Sequence, residues 1–440
     1  MQKIEEYRSF YIETYGCQMN MAESNVLDSE FLKHGFRAAV KPEDADIVIL
    51  NTCSVRKTAE NRIWGRIGFY KHLKTERDLT LIITGCMAER LKEELKKKEP
   101  AVDLVIGTND KIDIIHFLQK DASVSDEYSF ASSYYKEGEL STFVPIMNGC
   151  NNFCSYCIVP YVRGREISRP VDDIINEIVT LSMKGVKEIT LLGQNVNSYA
   201  YTSEDGSLVD FPALLKQIIK AVDSITWIRF MSAHPKDFSN ELIDLIINEK
   251  KICSHVHLPM QSGSSDILKA MNRRYDAEKY YKIVERLRSS SEEITITTDI
   301  MVGFPGETEK DLDDTLLMMR DIGLTESYMY YYNPREGTAS TSLPGQLSDG
   351  VKLERLQRVI DLQKNLTADY KRTTIGKTVT VLCDSISKKN QDEFVGHTEH
   401  NDRIVFKKED NIHIGDILKM TVTEVIGTTL KGEIACPSKP

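Results

Sequence analysis

No apolar run in this chain approaches the roughly 18 residues that a membrane-spanning helix needs, and the opening stretch Met1–Arg8 is charged. Neither a span nor a secretory leader is expected, so the expected location is cytoplasmic and no membrane partner is anticipated. Basic charge is in deficit: 56 Lys and Arg stand against 66 Asp and Glu, a net charge of −10. Such a surface repels nucleic acid as a whole and can bind it only through a local basic face. A disulfide framework is also disfavoured. The nine cysteines are an odd number, and six of them fall into two triads, a usage that suits reduced thiols and metal. The other three, Cys253, Cys383 and Cys436, sit in or near apolar stretches and read as core residues. With 440 residues, 41% of them hydrophobic, the chain can fill two or three domain cores.

The first triad lies in Gly149-Cys150-Asn151-Asn152-Phe153-Cys154-Ser155-Tyr156-Cys157. Three thiolates at C-x3-C-x2-C spacing in one short loop can reach three corners of an iron-sulfur cube, leaving the fourth iron without a local ligand. An open coordination position marks a site that does chemistry, as it does among zinc sites. Cysteine-rich loops also bind zinc, and a bare C-x-x-C is a weak signal. The three-cysteine spacing, Tyr156 before the last Cys and the expected strand ahead of the loop together resemble the radical S-adenosylmethionine (SAM) enzymes.

The second triad is spread out. Three hydrophobic runs, 10–15, 46–50 and 81–84, each end in a similar corner: Tyr15-Gly16-Cys17, Asn51-Thr52-Cys53 and Thr84-Gly85-Cys86. Intervals of 36 and 33 residues between these cysteines fit βαβ units, with helices expected near 22–34 and 57–74. Parallel sheets present ligands at their carboxyl ends. Cys17, Cys53 and Cys86 are therefore expected to converge there and form a second three-thiolate site, the alternative being three ordinary buried cysteines.

The alternation continues through 102–106 and 111–119 and then breaks at 121–138, a polar, patternless stretch expected to be a linker. Six expected strands follow, at 143–147, 188–192, 227–230, 255–258, 294–300 and 327–332, with helices such as 171–183, 211–222 and 276–289 between them. Six βα units are too few for a closed TIM barrel but enough for an open one, with its active site at the strand carboxyl ends. A helix near 351–373 leads out to short β-rich runs at 378–383, 403–406, 417–422 and 428–434, the pattern of a small OB-like barrel.

Longer motifs make the resemblance specific. Tyr11 to Asn20, Asn51 to Arg56, Asn148 to Arg169, Leu191 to Asn197, His257 to Ser264 and Asp299 with Gly303 to Glu307 are similar to motifs of the radical SAM methylthiotransferases, over essentially the whole chain. The resemblance implies an α/β chain of four parts: a Rossmann-like methylthiotransferase domain at 1–122, a linker at 123–139, a partial (β/α)6 TIM-like radical SAM barrel at 140–373 and a TRAM domain, an OB-like β-barrel, at 374–440. It also implies sulfur insertion and methylation at carbon 2 of an adenine that already bears an isopentenyl group, next to the anticodon of a tRNA. Two [4Fe-4S] clusters are implied, one on Cys150, Cys154 and Cys157 and an auxiliary one on Cys17, Cys53 and Cys86. SAM would serve as both radical source and methyl donor. Cofactor contacts are expected at Tyr156, Gln194, Asn195, Gln261, Ser262, Asp299, Gly303 and Glu307, although Gly303 to Glu307 also reads as a tight turn before a helix. His255 and His257 read as packed residues. For the tRNA anticodon stem-loop, Arg163, Arg165, Arg273, Arg274 and Arg372 are candidate contacts. A monomer, a reductant protein and a sulfur donor complete the expectation. The rivals are methylthiotransferases acting on threonylcarbamoyladenosine or on a ribosomal-protein aspartate, which the Tyr-Gly-Cys-Gln-Met-Asn and Asn-Thr-Cys-Ser-Val-Arg forms disfavour, and, from another class, a non-catalytic iron-sulfur RNA-binding protein.

Overall fold

The computed structural model describes residues 8–54, 57–108, 111, 113–119, 135, 138–289 and 293–435. Most of the expected linker, Val55, Arg56 and Cys436 lie outside the described residues.

The amino-terminal part is a five-stranded parallel sheet. β1 (Ser9–Thr14), α1 (Gln18–Lys33), β2 (Arg37–Ala38), β3 (Ile47–Thr52), α2 (Lys57–Glu76), β4 (Thr80–Gly85), α3 (Cys86–Lys98), β5 (Leu104–Val105) and α4 (Asp113–Gln119) follow in chain order. The sheet order is β2-β1-β3-β4-β5, and every pairing in it is parallel. β3 reads as a continuous apolar run because both its faces are covered: Ile47, Val48, Ile49 and Leu50 are all fully buried. Alternate residues along it feed two cores. Val48 and Leu50 pack with Ile63, Ile67 and Tyr70 of α2, while Ile47 and Ile49 pack with Phe10, Leu27 and Phe31 on the α1 side.

Six parallel strands form the central barrel: Ser141–Pro145, Glu188–Leu192, Trp227–Phe230, His255–His257, Thr295–Val302 and Glu326–Tyr331. They fall into two hydrogen-bonded triplets in chain order, joined by a single parallel bridge between Ile228 and Ile252. The helix Val171–Met183 keeps its expected bounds. The hairpin Ala200–Thr202 with Leu208–Asp210 was not expected from the pattern; three-residue strands give too short an alternation to read.

The helix Asp349–Thr374 leads to a closed barrel of five strands, Thr378–Ile386, Glu393–Thr398, Arg403–Lys407, Ile417–Ile426 and Thr429–Ile434. The sequence pattern showed four of them. The missed strand, Glu393–Thr398, carries Gly396 and His397 where a strand would ordinarily place larger apolar residues. Gly396 is required there, since a Cβ would run into Leu382 O on the neighbouring strand. His397 faces outward to the central barrel, where its ring bridges Glu188 Oε2 at 2.6 Å and Asp384 Oδ2 at 2.7 Å. Arg229 completes this seam: it pairs with Glu188 and donates to the Thr398 and Glu399 carbonyls at 2.8 and 3.0 Å. Cys253 is buried with Trp227 and Leu382 on the same seam, and Cys383 is in the core of the small barrel.

Candidate active site

The chain turns sharply at the end of each of β1, β3 and β4, and two glycines make this possible. Gly16 adopts φ +118°, and a Cβ on it would sit 2.6 Å from Cys53 Cβ. Gly85 adopts φ +92°, and a Cβ there would collide with Thr52 O. Both torsions are ones that L side chains rarely adopt, so glycine precedes Cys17 and Cys86 for steric reasons. Cys17 then stands at the N-cap position of α1 and Cys86 opens α3, where burial pushes the Cys86 thiol up.

A polar net ties the three corners together, Thr52 Oγ1 donating to Thr84 O and accepting from Ala88 N at 3.2 Å. Asn20 is fully buried and donates through Nδ2 to Tyr15 O at 2.9 Å and Thr52 O at 3.0 Å. The Cys17 thiol donates to Asn20 Oδ1 at 3.5 Å. Asn51 Nδ2 donates to Asn20 O at 2.9 Å and to Ser24 Oγ at 2.8 Å. Glu23 sits among these groups, paired with Lys111 and, at 2.6 Å, with Arg163 of the central loop region. Burial works to raise the Glu23 pKa, but the two cations hold it down at about 2. Glu23 thereby joins the amino-terminal sheet to the barrel, as does Thr108 Oγ1, which donates to Val162 O at 2.6 Å.

The central triad is built from one loop. Gly149, at φ +82°, lies so close to the Arg165 carbonyl that a Cβ would not fit, and its N–H donates to Gln194 Oε1 at 2.6 Å. Cys150 and Cys154 are buried and Cys157 is half-buried. Burial, with the neighbouring thiols, pushes Cys150 up to about 11 and Cys157 up to about 12. Uncompensated thiolates are therefore costly here, a cost that a bound metal would relieve. Arg273 Nη1 lies 3.6 Å from Cys154 Sγ, one cation already aimed at the sulfur. Among the described residues no three His, Cys, Asp or Glu side chains are drawn together around a single metal ion. By donor chemistry, three soft thiols with a cation beside one of them are the set that an iron-sulfur cluster takes.

Beside Cys157 lies a cavity of about 550 Å³. Ser54, next to Cys53, forms one wall and Cys157 another; Tyr156, Gln261, Asp299 and Arg335 also line it. Gln261 reaches the cavity from a left-handed backbone, φ +68°. Asp299 is held by Tyr330 OH at 3.5 Å and faces His257 Nε2 at 3.5 Å. His255 and His257 are buried and share Thr297 Oγ1, each at 3.1 Å.

Several of the residues expected at the cofactor or the tRNA have partners within the fold. Glu307 does not line the cavity: its carboxylate accepts from Gly303 N at 2.8 Å and from Arg355 Nη1 at 2.8 Å. Gly303 is packed against Lys352, which a Cβ would strike. The Gly303 to Glu307 segment is the tight turn of the alternative reading, clamped to the exit helix. Ser262 is turned to Thr315 Oγ1 at 3.3 Å. Gln194 supports the cluster loop, and Asn195 Nδ2 bonds Asp237 at 2.9 Å. Arg163 and Arg273 are buried, at 3% and 6% exposed. Arg165, stacked 4.5 Å over Phe153, Arg274 and Arg372 are exposed. Glu23, Glu60, Arg90 and Arg335 were not singled out from the sequence. They carry no spacing signal, and only the fold brings them together.

Three family models match in order: an uncharacterised family termed UPF0004 over residues 9–107, the radical SAM superfamily over 144–319 and the TRAM domain over 372–435. A solved radical SAM methyltransferase, TsrM from Kitasatospora setae with cobalamin and a [4Fe-4S] cluster bound, superposes with a TM-score of 0.54. That match covers 74% of this chain and 75% of that one at 15% identity. The chain is thus a radical SAM enzyme, a class that implies one [4Fe-4S] cluster and SAM. Curated relatives named tRNA-2-methylthio-N(6)-dimethylallyladenosine synthase are 44% identical in Treponema pallidum subsp. pallidum, over 97% of this chain and 98% of the relative. The Bacteroides thetaiotaomicron relative of that name is 41% identical, over 98% and 96%. The chain belongs to this methylthiotransferase family. Among the described residues no helix is long and apolar enough to cross a membrane.

Proposed function

We propose that the chain methylthiolates carbon 2 of N6-(dimethylallyl)adenosine beside the anticodon of tRNA, with one [4Fe-4S] cluster on each cysteine triad. The observation that supports this reading most is a cavity whose lining includes both Ser54, the residue after Cys53, and Cys157 of the central triad. An adenine C2–H bond is neither acidic nor polarised, so no side-chain acid or base can open it, and the hard step falls to a cofactor. When bound, the clusters and SAM would supply the radical, the sulfur and the methyl group.

The chain's own residues would do the rest. Cys150, Cys154 and Cys157 would hold the radical-generating cluster, with Arg273 donating to Cys154. Cys17, Cys53 and Cys86 would hold the auxiliary cluster. Tyr156, Gln261 and Asp299 would orient SAM in the cavity. Tyr330, Tyr331, Met301 and Met329 offer a base an apolar, aromatic surface to stack on. Arg165 and Arg274 would meet the tRNA backbone near the cluster loop, and Arg372 with the small barrel would add phosphate contacts. Residues 1–122, 140–373 and 374–440 would be the units of this division, in a monomer working in the cytoplasm with a separate reductant and sulfur donor.

The test is mass spectrometry of tRNA from a strain lacking the gene, with and without this chain supplied. Loss of the methylthio group, accumulation of dimethylallyladenosine and its rescue are expected. Unchanged modification would overturn the assignment.

A further inference from the structure

A second cavity, of about 510 Å³, lies where the central barrel meets the small one. Glu326 lines it from the start of its strand, and His400, Arg403 and Thr428 line it from the small barrel. It shares Met329 with the cavity beside Cys157. The helix Asp349–Thr374 runs past both: Leu356 lines the cavity beside Cys157, and Ile360, Lys364 and Ala368 line the second one. These four residues are spaced four apart. They form one stripe on the helix, about 18 Å long at ~1.5 Å per residue. Against the helix lies the strand Glu326–Tyr331, which ends its hydrogen-bonded triplet and pairs only with Thr295–Val302. The two cavities are therefore successive stretches of one groove between the helix and an open strand edge. Its walls are pinned at a set spacing. Ser327 Oγ donates to Gln363 Oε1 at 2.6 Å, Gln363 Nε2 to Leu324 O at 3.0 Å and Thr367 Oγ1 to Thr325 O at 2.9 Å. Half-buried Met329 and Ile360 make an apolar floor, while Lys364 and Arg403 stand exposed at the rim. The Lys364 side chain is 68% exposed, with Asp361 3.5 Å away. Lys371 is spent on Asp402, which leaves Glu326 as the acidic group of the lining that faces those two cations.

We propose that this groove is the track of an unpaired RNA strand, the one that leaves the target nucleotide of the anticodon loop and runs to the small barrel, a deepening that rests on the tRNA reading. Its bases would lie over Met329 and Ile360 and its phosphates at Lys364 and Arg403. The shape selects this occupant. The groove starts at the cavity assigned to the target base and ends on the part of the chain that matches the TRAM domain, so a small molecule would fill one end and leave the other. A single strand alternates flat apolar bases with charged phosphates, and the groove offers a floor for the first and a rim for the second. A paired stem has its bases turned inward and would touch only the rim.

The experiment uses the full-length enzyme with its clusters loaded and an anticodon stem-loop that bears dimethylallyladenosine. 4-Thiouridine is placed in turn at loop and stem positions, and photo-crosslinked peptides are mapped by mass spectrometry. Loop positions nearest the modified adenine should crosslink near Leu356 and Met329, and more distant ones near Ala368. Crosslinks from stem positions only, or only to other surfaces, would overturn the track. Salt dependence of stem-loop affinity supplies the second measurement. Lys364→Gln and Arg403→Gln should each lower the slope of log affinity against log salt by about one, and the double variant by about two. Unchanged slopes overturn the role of these cations, and should one variant fail to fold, the other decides. If the slopes are unchanged but turnover driven by a reductant protein falls while dithionite-driven turnover does not, the groove docks a protein and the RNA track is wrong. If the wild type does not bind the stem-loop at all, the tRNA reading falls first and the track with it.

Discussion

The two cysteine triads reach similar ends by opposite routes. Cys150, Cys154 and Cys157 come from eight consecutive residues, held by Gly149, Gln194 and Arg273. Cys17, Cys53 and Cys86 stand at the ends of three strands, β1, β3 and β4, that are adjacent in one parallel sheet. The first is a property of a loop, the second a property of a fold. A local site should therefore survive damage elsewhere, while a distributed one should fail with the network that spaces its strands.

The largest contrast is expected from the cysteines themselves. Cys150→Ala should abolish 5′-deoxyadenosine formation, while Cys53→Ala should keep SAM cleavage but yield no methylthio product, both measured under dithionite. Loss of cleavage in both variants with an intact central cluster would erase the division of labour.

Next is Glu23→Gln, which leaves Arg163 and Lys111 buried without their carboxylate. Removing one partner of a buried ion pair costs about 3–5 kcal/mol. Denaturant unfolding should show that loss, and iron at the auxiliary site should fall further than iron at the central one. Equal losses at both sites would mean that Glu23 does not act through the distributed triad.

A smaller effect concerns the seam between the two barrels. Burial alone would lower the His397 pKa, yet Asp384 and Glu188 raise it to about 9. A raised histidine stabilises the folded state fully below its unfolded value near 6.5 and loses that contribution as pH climbs through about 9. The contribution is roughly 3 kcal/mol at most, at ~1.4 kcal/mol per unit. Stability of the wild type should therefore drop between about pH 6.5 and 9 more than that of His397→Gln, as followed by thermal unfolding. Parallel pH curves would remove His397 from the seam.

The smallest separates two arginines of one loop. Arg165→Gln should weaken tRNA binding modestly and lower the salt slope by about one, while leaving stability unchanged. Arg163→Gln should do the reverse, since it belongs to the Glu23 network. A salt-slope change with Arg163→Gln and none with Arg165→Gln would invert the assignment.

What the sequence revealed divides along the same line. Strand ends marked by Tyr-Gly-Cys, Asn-Thr-Cys and Thr-Gly-Cys were readable because the chemistry and the turn are written in adjacent residues. So was the barrel, whose strands and helices alternate with clear periods. The contacts that fix the site were not readable. Arg163 and Arg273 looked like surface charges until the fold buried them, and Glu307 looked like a cofactor contact until Arg355, 48 residues later, claimed it. Residues such as Glu23 and Arg335 owe their place to tertiary neighbours that no local pattern records.

Iron content after anaerobic reconstitution bears most directly on two equivalent triads. The wild type should bind about eight irons per chain, and replacing either triad with Ala should leave about four. About four in the fully reconstituted wild type, unchanged when Cys17, Cys53 and Cys86 are replaced, would contradict the account.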